Sequence, residues 1–353
     1  MKSRGIKNLI FLPVLALLVM LCAACGGQGA GNGNAEIAKI PVKVLILPKF
    51  EVGEMAGDFP GEAQLFYEKY MAGGAEEYDI SGGSEGSKLY VKDGVALYVL
   101  GMGKVGAALG TEAVLSDEHF DFSDAYILST GCAGSAVEES VMGDVVLVTA
   151  AVDYDFGHHA DIREMENKDG STWFHDASYD SEAVVELDSE LNEKVYALIK
   201  DVPVKTTEKT RSYMQATFPG EDWAARDPKV MLGTTITSDN FWKGKYDHEN
   251  AKLMTEVYGC EDPFLTTEME ETGVCKAVQR KGLLDRLIIT RCSVNMDVFM
   301  HGMTPESLWI EDYDGMTLAS DDNAEAADIF ETAMENNFNV GSTIVDAILN
   351  NML

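Results

Sequence analysis

VALYVLGMGKVGAALGTEAVLS, Val95–Ser116, carries the repeating unit of the fold. Val95–Leu100 is an apolar, partly β-branched run and reads as a buried strand. Glycines follow at 101, 103 and 106, and Lys104–Ser116 is an Ala/Leu/Val helix. Upstream, Leu89–Val91 pairs with this strand across Lys92-Asp93-Gly94, a hairpin signal. Further strands are expected at Val42–Leu47, Ala125–Leu128, Asp144–Ala150, Lys229–Thr235 and Arg286–Thr290. Between them lie helical patterns at Gly61–Met71, Leu187–Lys200, His248–Tyr258 and Glu268–Arg280. Asn323–Leu353 closes the chain, with Ala327, Phe330, Met334 and Phe338 on one apolar face. Strands alternating with helices predict a single α/β domain with helices on both sides of its sheet.

The glycines satisfy a dinucleotide fingerprint, Gly101-x-Gly103-x-x-Gly106, between a strand and a helix. That fingerprint also requires an acid at the end of the next strand, to hold a ribose diol. The next strand ends in Ser129-Thr130-Gly131, and Asp121 and Asp124 precede it. Close strand-to-helix packing explains the glycines better than a nicotinamide cofactor does.

The first 25 residues read as a leader. Lys2, Arg4 and Lys7 precede apolar Leu9–Leu21, and Cys22-Ala23-Ala24-Cys25-Gly26-Gly27 supplies small residues at a cleavage point. The pattern resembles a bacterial lipoprotein signal, with Cys25 lipidated, although Cys22 stands where leucine is usual and is itself the alternative acceptor. Residues 26–40 then form a flexible tether rich in Gly, Asn and Ala, and residues 41–353 form the domain. On this reading the domain sits outside the cytoplasm, held to the cell membrane through an N-terminal lipid. No second segment approaches the ~20 apolar residues of a membrane span.

The 353-residue chain has a formal charge of -32, and loses three more positive charges with the leader. Such a field repels phosphates and argues against nucleic-acid partners. Cys132, Cys260, Cys275 and Cys292 could form disulfides in an oxidising compartment or remain buried thiols. His158-His159 lacks a carboxylate partner in the pattern, so no metal is expected. Residues 157–181 are polar and read as a surface insertion.

TTEMEETGV, Thr266–Val274, follows a turn containing Gly259, Cys260 and Pro263. Thr267 and Glu270 have the spacing of a capping box. Glu268 and Glu270, flanking Met269, could equally present an acid to a sugar diol beside an apolar side chain.

Five segments occur in order: LGMGKVGAALG (100–110), STGCAGSAVEESVMGDVVLV (129–148), TTITSDNFW (234–242), TTEMEETGV (266–274) and ITRCSVNMD (289–297). Together they resemble the purine and uridine phosphorylase-like superfamily, most closely its purine nucleoside permease branch. The resemblance implies one three-layer domain with a central twisted mixed sheet, and a purine nucleoside as ligand. It implies that Glu270 holds the ribose hydroxyls and Met269 packs on the sugar. Phe241 would stack on the base, with Trp242 beside it, and Gly103, Cys132, Ala133 and Gly134 would form ribose-side loops. Glu62 would activate water, and Asn295 would meet the purine imidazole nitrogen. Nucleosidases usually carry an aspartate at that last position; an amide can hydrogen-bond but cannot supply a proton. Asp297 is then the expected substitute acid.

The resemblance leaves the nucleophile open. Phosphorylases of the superfamily usually carry an arginine where this chain has Leu128-Ser129, so hydrolysis is favoured, with Lys104 or Arg211 as substitute cations for phosphate. No cofactor is expected; phosphate would be co-substrate in a phosphorylase. A lipid-anchored nucleoside-binding protein without catalysis, supporting a transporter, is the alternative reading. Pairing with further copies of the chain also accords with the resemblance.

Overall fold

The computed structural model describes residues 38–304 and 324–353. The leader, Cys25 and most of the expected tether therefore lie outside the described residues. Ten strands form the main sheet: β1 Val44–Leu47, β2 Glu76–Tyr78, β3 Leu89–Lys92, β4 Val95–Tyr98, β5 Tyr126–Ser135, β6 Val145–Asp153, β7 Val184–Glu186, β8 Val230–Thr237, β9 Phe264–Glu268 and β10 Leu287–Met296. Seven helices matter here: α1 Gln64–Tyr70, α2 Lys104–Leu115, α3 Ser189–Ile199, α4 Glu208–Thr217, α5 Lys245–Val257, α6 Glu271–Arg280 and α7 Ala324–Leu349.

The sheet runs β7-β6-β8-β9-β5-β1-β4-β3-β2, and β10 pairs with both β5 and β6. The pairings β5–β10–β6–β8–β9–β5 thus close into a ring at one end of the sheet. Both parallel and antiparallel pairs occur: β1 is parallel to β4 and β5, whereas β9 is antiparallel to β5. The architecture is the expected three-layer mixed α/β domain.

Strand periodicity explains the layers. In VLIL of β1 every residue is buried, because both sheet faces are covered. Leu45 and Leu47 pack into a core shared with Ala107 and Val114 of α2 and Val274 and Val278 of α6. Val44 and Ile46 point the other way, toward Phe66 of α1, Val195 of α3 and Phe330 and Ile344 of α7. Each such side chain contributes roughly 1.5–3 kcal/mol by leaving water. The hairpin forms as expected, with Asp93 and Gly94 both at positive φ (51° and 82°), the backbone a two-residue turn of matching twist requires.

Several segments differ from the sequence expectation, among them the unanticipated strands β2 and β7 and the extension of β10 to Met296. β5 continues through Gly131-Cys132-Ala133-Gly134, where the resemblance implied a loop. It stays extended because β10 pairs along it and β9 closes its end at Gly134 and Ser135. Phe264–Glu268 is strand, so α6 begins at Glu271 rather than Glu268. Finally, α4 has little hydrophobic signal of its own and is started by Thr207, whose hydroxyl accepts the Thr210 N–H at 3.1 Å.

The insertion at 157–181 makes a small hairpin, His158–His159 with Trp173–Phe174. Trp173 plugs it into a core cluster with Tyr154 and Met254. All four cysteines of the domain are free. No helix among the described residues is long and apolar enough to cross a membrane.

Candidate functional site

A cavity of about 240 Å³ opens where β5, β8, β9 and β10 end and where the chain leaves β1. Glu62, Cys132, Ala133, Gly134, Phe241, Trp242, Met269, Glu270 and Asn295 all line it. Residues from four separate motifs thus meet in one place, together with Glu268 and with others, among them Lys49, Met102 and Arg291, that the sequence alone had given no role there.

Glu62 is buried, and both its oxygens are held by backbone amides. Oε1 accepts from Cys132 N at 2.7 Å and Oε2 from Lys49 N at 2.7 Å. Gly131 makes room for it: a Cβ there would stand 2.7 Å from Glu62 Oε1. Burial pushes the Glu62 carboxyl up, against the attraction of Arg291 and Lys49.

Glu270 is fixed from two sides. Oε1 accepts the Gly103 N–H at 3.1 Å, and Oε2 the Arg291 guanidinium at 3.0 Å. The glycine loop therefore delivers an amide to a protein carboxylate rather than to a phosphate. Gly273 permits the approach, because a Cβ on it would lie 2.3 Å from the Lys104 carbonyl oxygen. The capping-box expectation is corrected here. Thr267 sits inside β9, and Glu270 at the helix start makes no side-chain cap. Glu268 does the capping instead, its Oε2 accepting Glu270 N at 2.7 Å and Glu271 N at 2.8 Å.

Arg291 is 1% exposed and ties the carboxylates together. Its Nη2 lies 3.1 Å from Glu268, 3.0 Å from Glu270 and 2.7 Å from Glu271, while Nη1 donates to Cys132 O at 2.8 Å. Lys49, equally buried, donates to Glu271 Oε1 at 2.9 Å and Ser129 Oγ at 2.6 Å. The signal for Arg291 was present in ITRCSVNMD: a cation within a strand buried on both faces must meet carboxylates there. Lys49, just past VLIL, carried the same signal.

Asn295 takes its place through a bulge in β10, between Ser293 and Asn295, which sets it opposite Gly134. Phe241 is half exposed at the cavity mouth, and Trp242 stacks on Tyr154 with ring centroids 5.4 Å apart. Gly103 does not line the cavity but supports Glu270. Asp297 does not line it either. Its carboxylate turns toward α5, where Oδ2 lies 2.6 Å from His248 Nδ1 and Oδ1 accepts Val137 N. The period of two along a strand sends Asn295 and Asp297 to the same side, but the chain has left β10 at Met296.

The substitute cations also stand elsewhere. Lys104 Nζ is paired with Asp153 and Asp155 at 2.7 and 2.8 Å. Asp155 in turn accepts from Ser238 Oγ, Asp239 N and Asn240 Nδ2, steadying the loop that carries Phe241. Arg211 pairs with Asp227 at the surface.

Charge crowding should make stability depend on pH. Burial, helped by repulsion from Glu271 and Glu270 and opposed by Arg291, pushes the Glu268 carboxyl up to about 7. Burial would raise Glu271 as well, but Lys49 and Arg291 outweigh it and hold this carboxyl low. Between its ordinary value of 4.5 and about 7, folded Glu268 holds a proton that the unfolded chain has released. Stability therefore falls as pH rises through that window, by at most about 1.4 kcal/mol per pH unit for one group. Thermal unfolding should show a higher Tm at pH 5.5 than at 7.5, and Glu268→Gln should flatten the slope. A Tm that rises with pH over this range, or a slope unchanged in the variant, would contradict the assignment.

Comparison with known proteins agrees with this architecture. A 5′-methylthioadenosine/S-adenosylhomocysteine nucleosidase from Colwellia psychrerythraea, solved with adenine, superposes with a TM-score of 0.51 at 18% identity, over 88% of this chain and 95% of that one. The S-adenosylhomocysteine nucleosidase of Streptococcus pyogenes gives 0.52 at 18% identity, over 86% and 96%. Futalosine hydrolase of Helicobacter pylori gives 0.53 at 15%, over 86% and 97%. At these identities the likeness shows the fold. In sequence, a protein of Schizosaccharomyces pombe described as a probable purine nucleoside permease is 26% identical over 220 residues, 56% of this chain and 63% of that relative. The match thus spans less than two-thirds of the relative's length. The family model for purine nucleoside permease matches residues 41–352, nearly the whole domain. The chain belongs to the purine nucleoside permease family.

Proposed function

We propose that the cavity binds a purine nucleoside and that the chain hydrolyses its N-ribosidic bond. The observation that carries this reading is Glu62: a carboxylate in the cavity lining, with both oxygens fixed by backbone amides. Water held by Glu62 attacks the anomeric carbon while the bond to the purine nitrogen breaks and its electron pair leaves with the base. Glu62 takes the proton of the attacking water. Glu270 grips the ribose diol as positive charge grows on the sugar, an interaction that strengthens toward the transition state. Asn295 stabilises the departing base by hydrogen bonding, and solvent supplies the proton that an amide cannot.

The charge balance favours water over phosphate. Arg291 and Lys49 are the cations in the lining, and both are already matched to carboxylates. With Glu270 and Glu271 already matched to them, neither cation is left over to hold an incoming phosphate. Purified protein incubated with inosine or adenosine should release free base without phosphate. Release only with phosphate would make it a phosphorylase. Asn295 also favours a second reading, a nucleoside-binding protein that supports transport without catalysis; tight binding with no base released would select it. Glu270→Ala should weaken nucleoside binding at least about tenfold, the ~1.4 kcal/mol or more expected for a charged hydrogen-bond partner. Unchanged affinity would leave Glu270 with a purely structural role.

We also propose that the chain is anchored outside the cytoplasm through lipid at Cys25. Palmitate labelling of expressing bacteria should mark the wild type and not Cys25→Ser. Equal labelling of both would exclude Cys25 as the anchor.

A further inference from the structure

Residues 51–60 separate the first strand from Glu62, and Glu51 opens this stretch. Its side chain folds back on the chain that follows. Oε1 accepts the N–H of Val52 at 2.8 Å and that of Gly61; Oε2 accepts Ala63 N at 2.8 Å and Gln64 N at 2.6 Å. One carboxylate therefore receives four backbone amides, and Gly61 and Ala63 are the neighbours of Glu62 on either side. Glu62's own N–H donates to Phe50 O at 3.2 Å. Gly61 allows the contact to be this close, because a Cβ there would stand 2.5 Å from Glu51 Oε1 and 2.8 Å from Glu51 Cα. The two ends of the stretch are pinned as well. Phe50 and Phe59 both pack on Phe330 of α7, with centroids 6.1 and 5.9 Å apart, and Asp58 O accepts Gln64 Nε2 at 3.0 Å.

Glu51 does not line the cavity, and a carboxylate used only to start α1 would need fewer of these bonds. The geometry points to Glu51 as the positioning residue of Glu62: it clamps the backbone on both sides so that the Glu62 carboxylate reaches Lys49 N and Cys132 N and faces the cavity. The kinetic consequence rests on the hydrolytic reading of Glu62; the clamp itself does not.

The test uses the full chain with Glu51→Ala and Glu51→Gln. With inosine or adenosine, Glu51→Ala should lower kcat about 10- to 100-fold, the cost of displacing a reacting group by about 1 Å, with KM within about threefold. Glu51→Gln keeps one carbonyl acceptor and should restore part of the loss. Amide hydrogen exchange reads the clamp without chemistry. In Glu51→Ala the amides of Lys49 and Cys132, the latter 70 residues away in sequence, should lose protection, while Gly103 N on Glu270 keeps it. Should Glu51→Ala fail to fold, Glu51→Gln carries both readouts. A folded variant with wild-type kcat and unchanged exchange at Cys132 would overturn the proposal, as would a lowered Tm with both of these intact. If the wild type binds nucleoside without releasing base, the hydrolytic reading falls, and exchange at Cys132 alone decides whether Glu51 holds Glu62.

Discussion

Glu62→Gln should lower the rate of base release by about 100- to 10,000-fold, the usual contribution of a positioned proton-transfer group. Nucleoside affinity should change by no more than about threefold. The amide preserves volume and one carbonyl acceptor, so Cys132 N or Lys49 N keeps a partner, but it cannot take a proton from water. The ribose grip at Glu270 is anchored separately, by Gly103 N and Arg291, so binding should survive. Equilibrium binding measured beside single-turnover base release separates the two effects. A variant retaining more than about a tenth of wild-type turnover would remove Glu62 from the chemistry. Loss of binding in parallel with turnover would make it a binding group instead.

Arg291→Leu should be the most damaging single change to the folded state. The guanidinium meets Glu268, Glu270 and Glu271 with all four side chains buried. Removing it leaves three buried carboxylates with only Lys49 to answer them, and Lys49 reaches Glu271 alone among these. Breaking a buried pair on one side typically costs about 3–5 kcal/mol, because the uncompensated charge stays behind. The expected outcome is a Tm lower by on the order of 5 °C or more, or failure to fold near neutral pH. Arg211→Ala is the control. Its pair with Asp227 is largely exposed, so its loss should cost less than about 1 kcal/mol. If the two variants unfolded within about 1 kcal/mol of each other, Arg291 would not be the keystone of the cluster. The same change should abolish nucleoside binding in any folded fraction, since Glu270 would lose one of its two anchors.

The two variants also mark how far the sequence could be read. Glu270 was legible as a candidate because it lies in one of five motifs of recognisable order, and Glu62 because it follows the first strand where the resemblance implied an acid; both line the cavity. The network that gives them their geometry was not. Glu268 looked like half of a sugar-binding pair or a helix residue, yet it caps α6 from the end of β9. That role depends on where strand becomes helix, and overlapping strand and helix signals in TTEMEETGV do not fix the point. Asp297 was a reasonable substitute acid by proximity in sequence, but the chain turns at Met296 and gives its carboxylate to His248. Lys104, an apparent spare cation, is neutralised by two aspartates from β6 and the turn after it.

By itself the sequence determined the layered α/β fold. Runs such as VLIL in β1 can only be satisfied between two layers of helices, and glycines at 273 and 131 admit contacts that any side chain would block. Those are local constraints, set by period, burial and backbone freedom. Which carboxylates would face the cavity and which would be spent on caps was decided only when β1, β5, β9 and β10 came together. The reason is electrostatic. Arg291 and Lys49 must each find anions on leaving water, and the partners within reach come from segments as far as 222 residues apart in the chain.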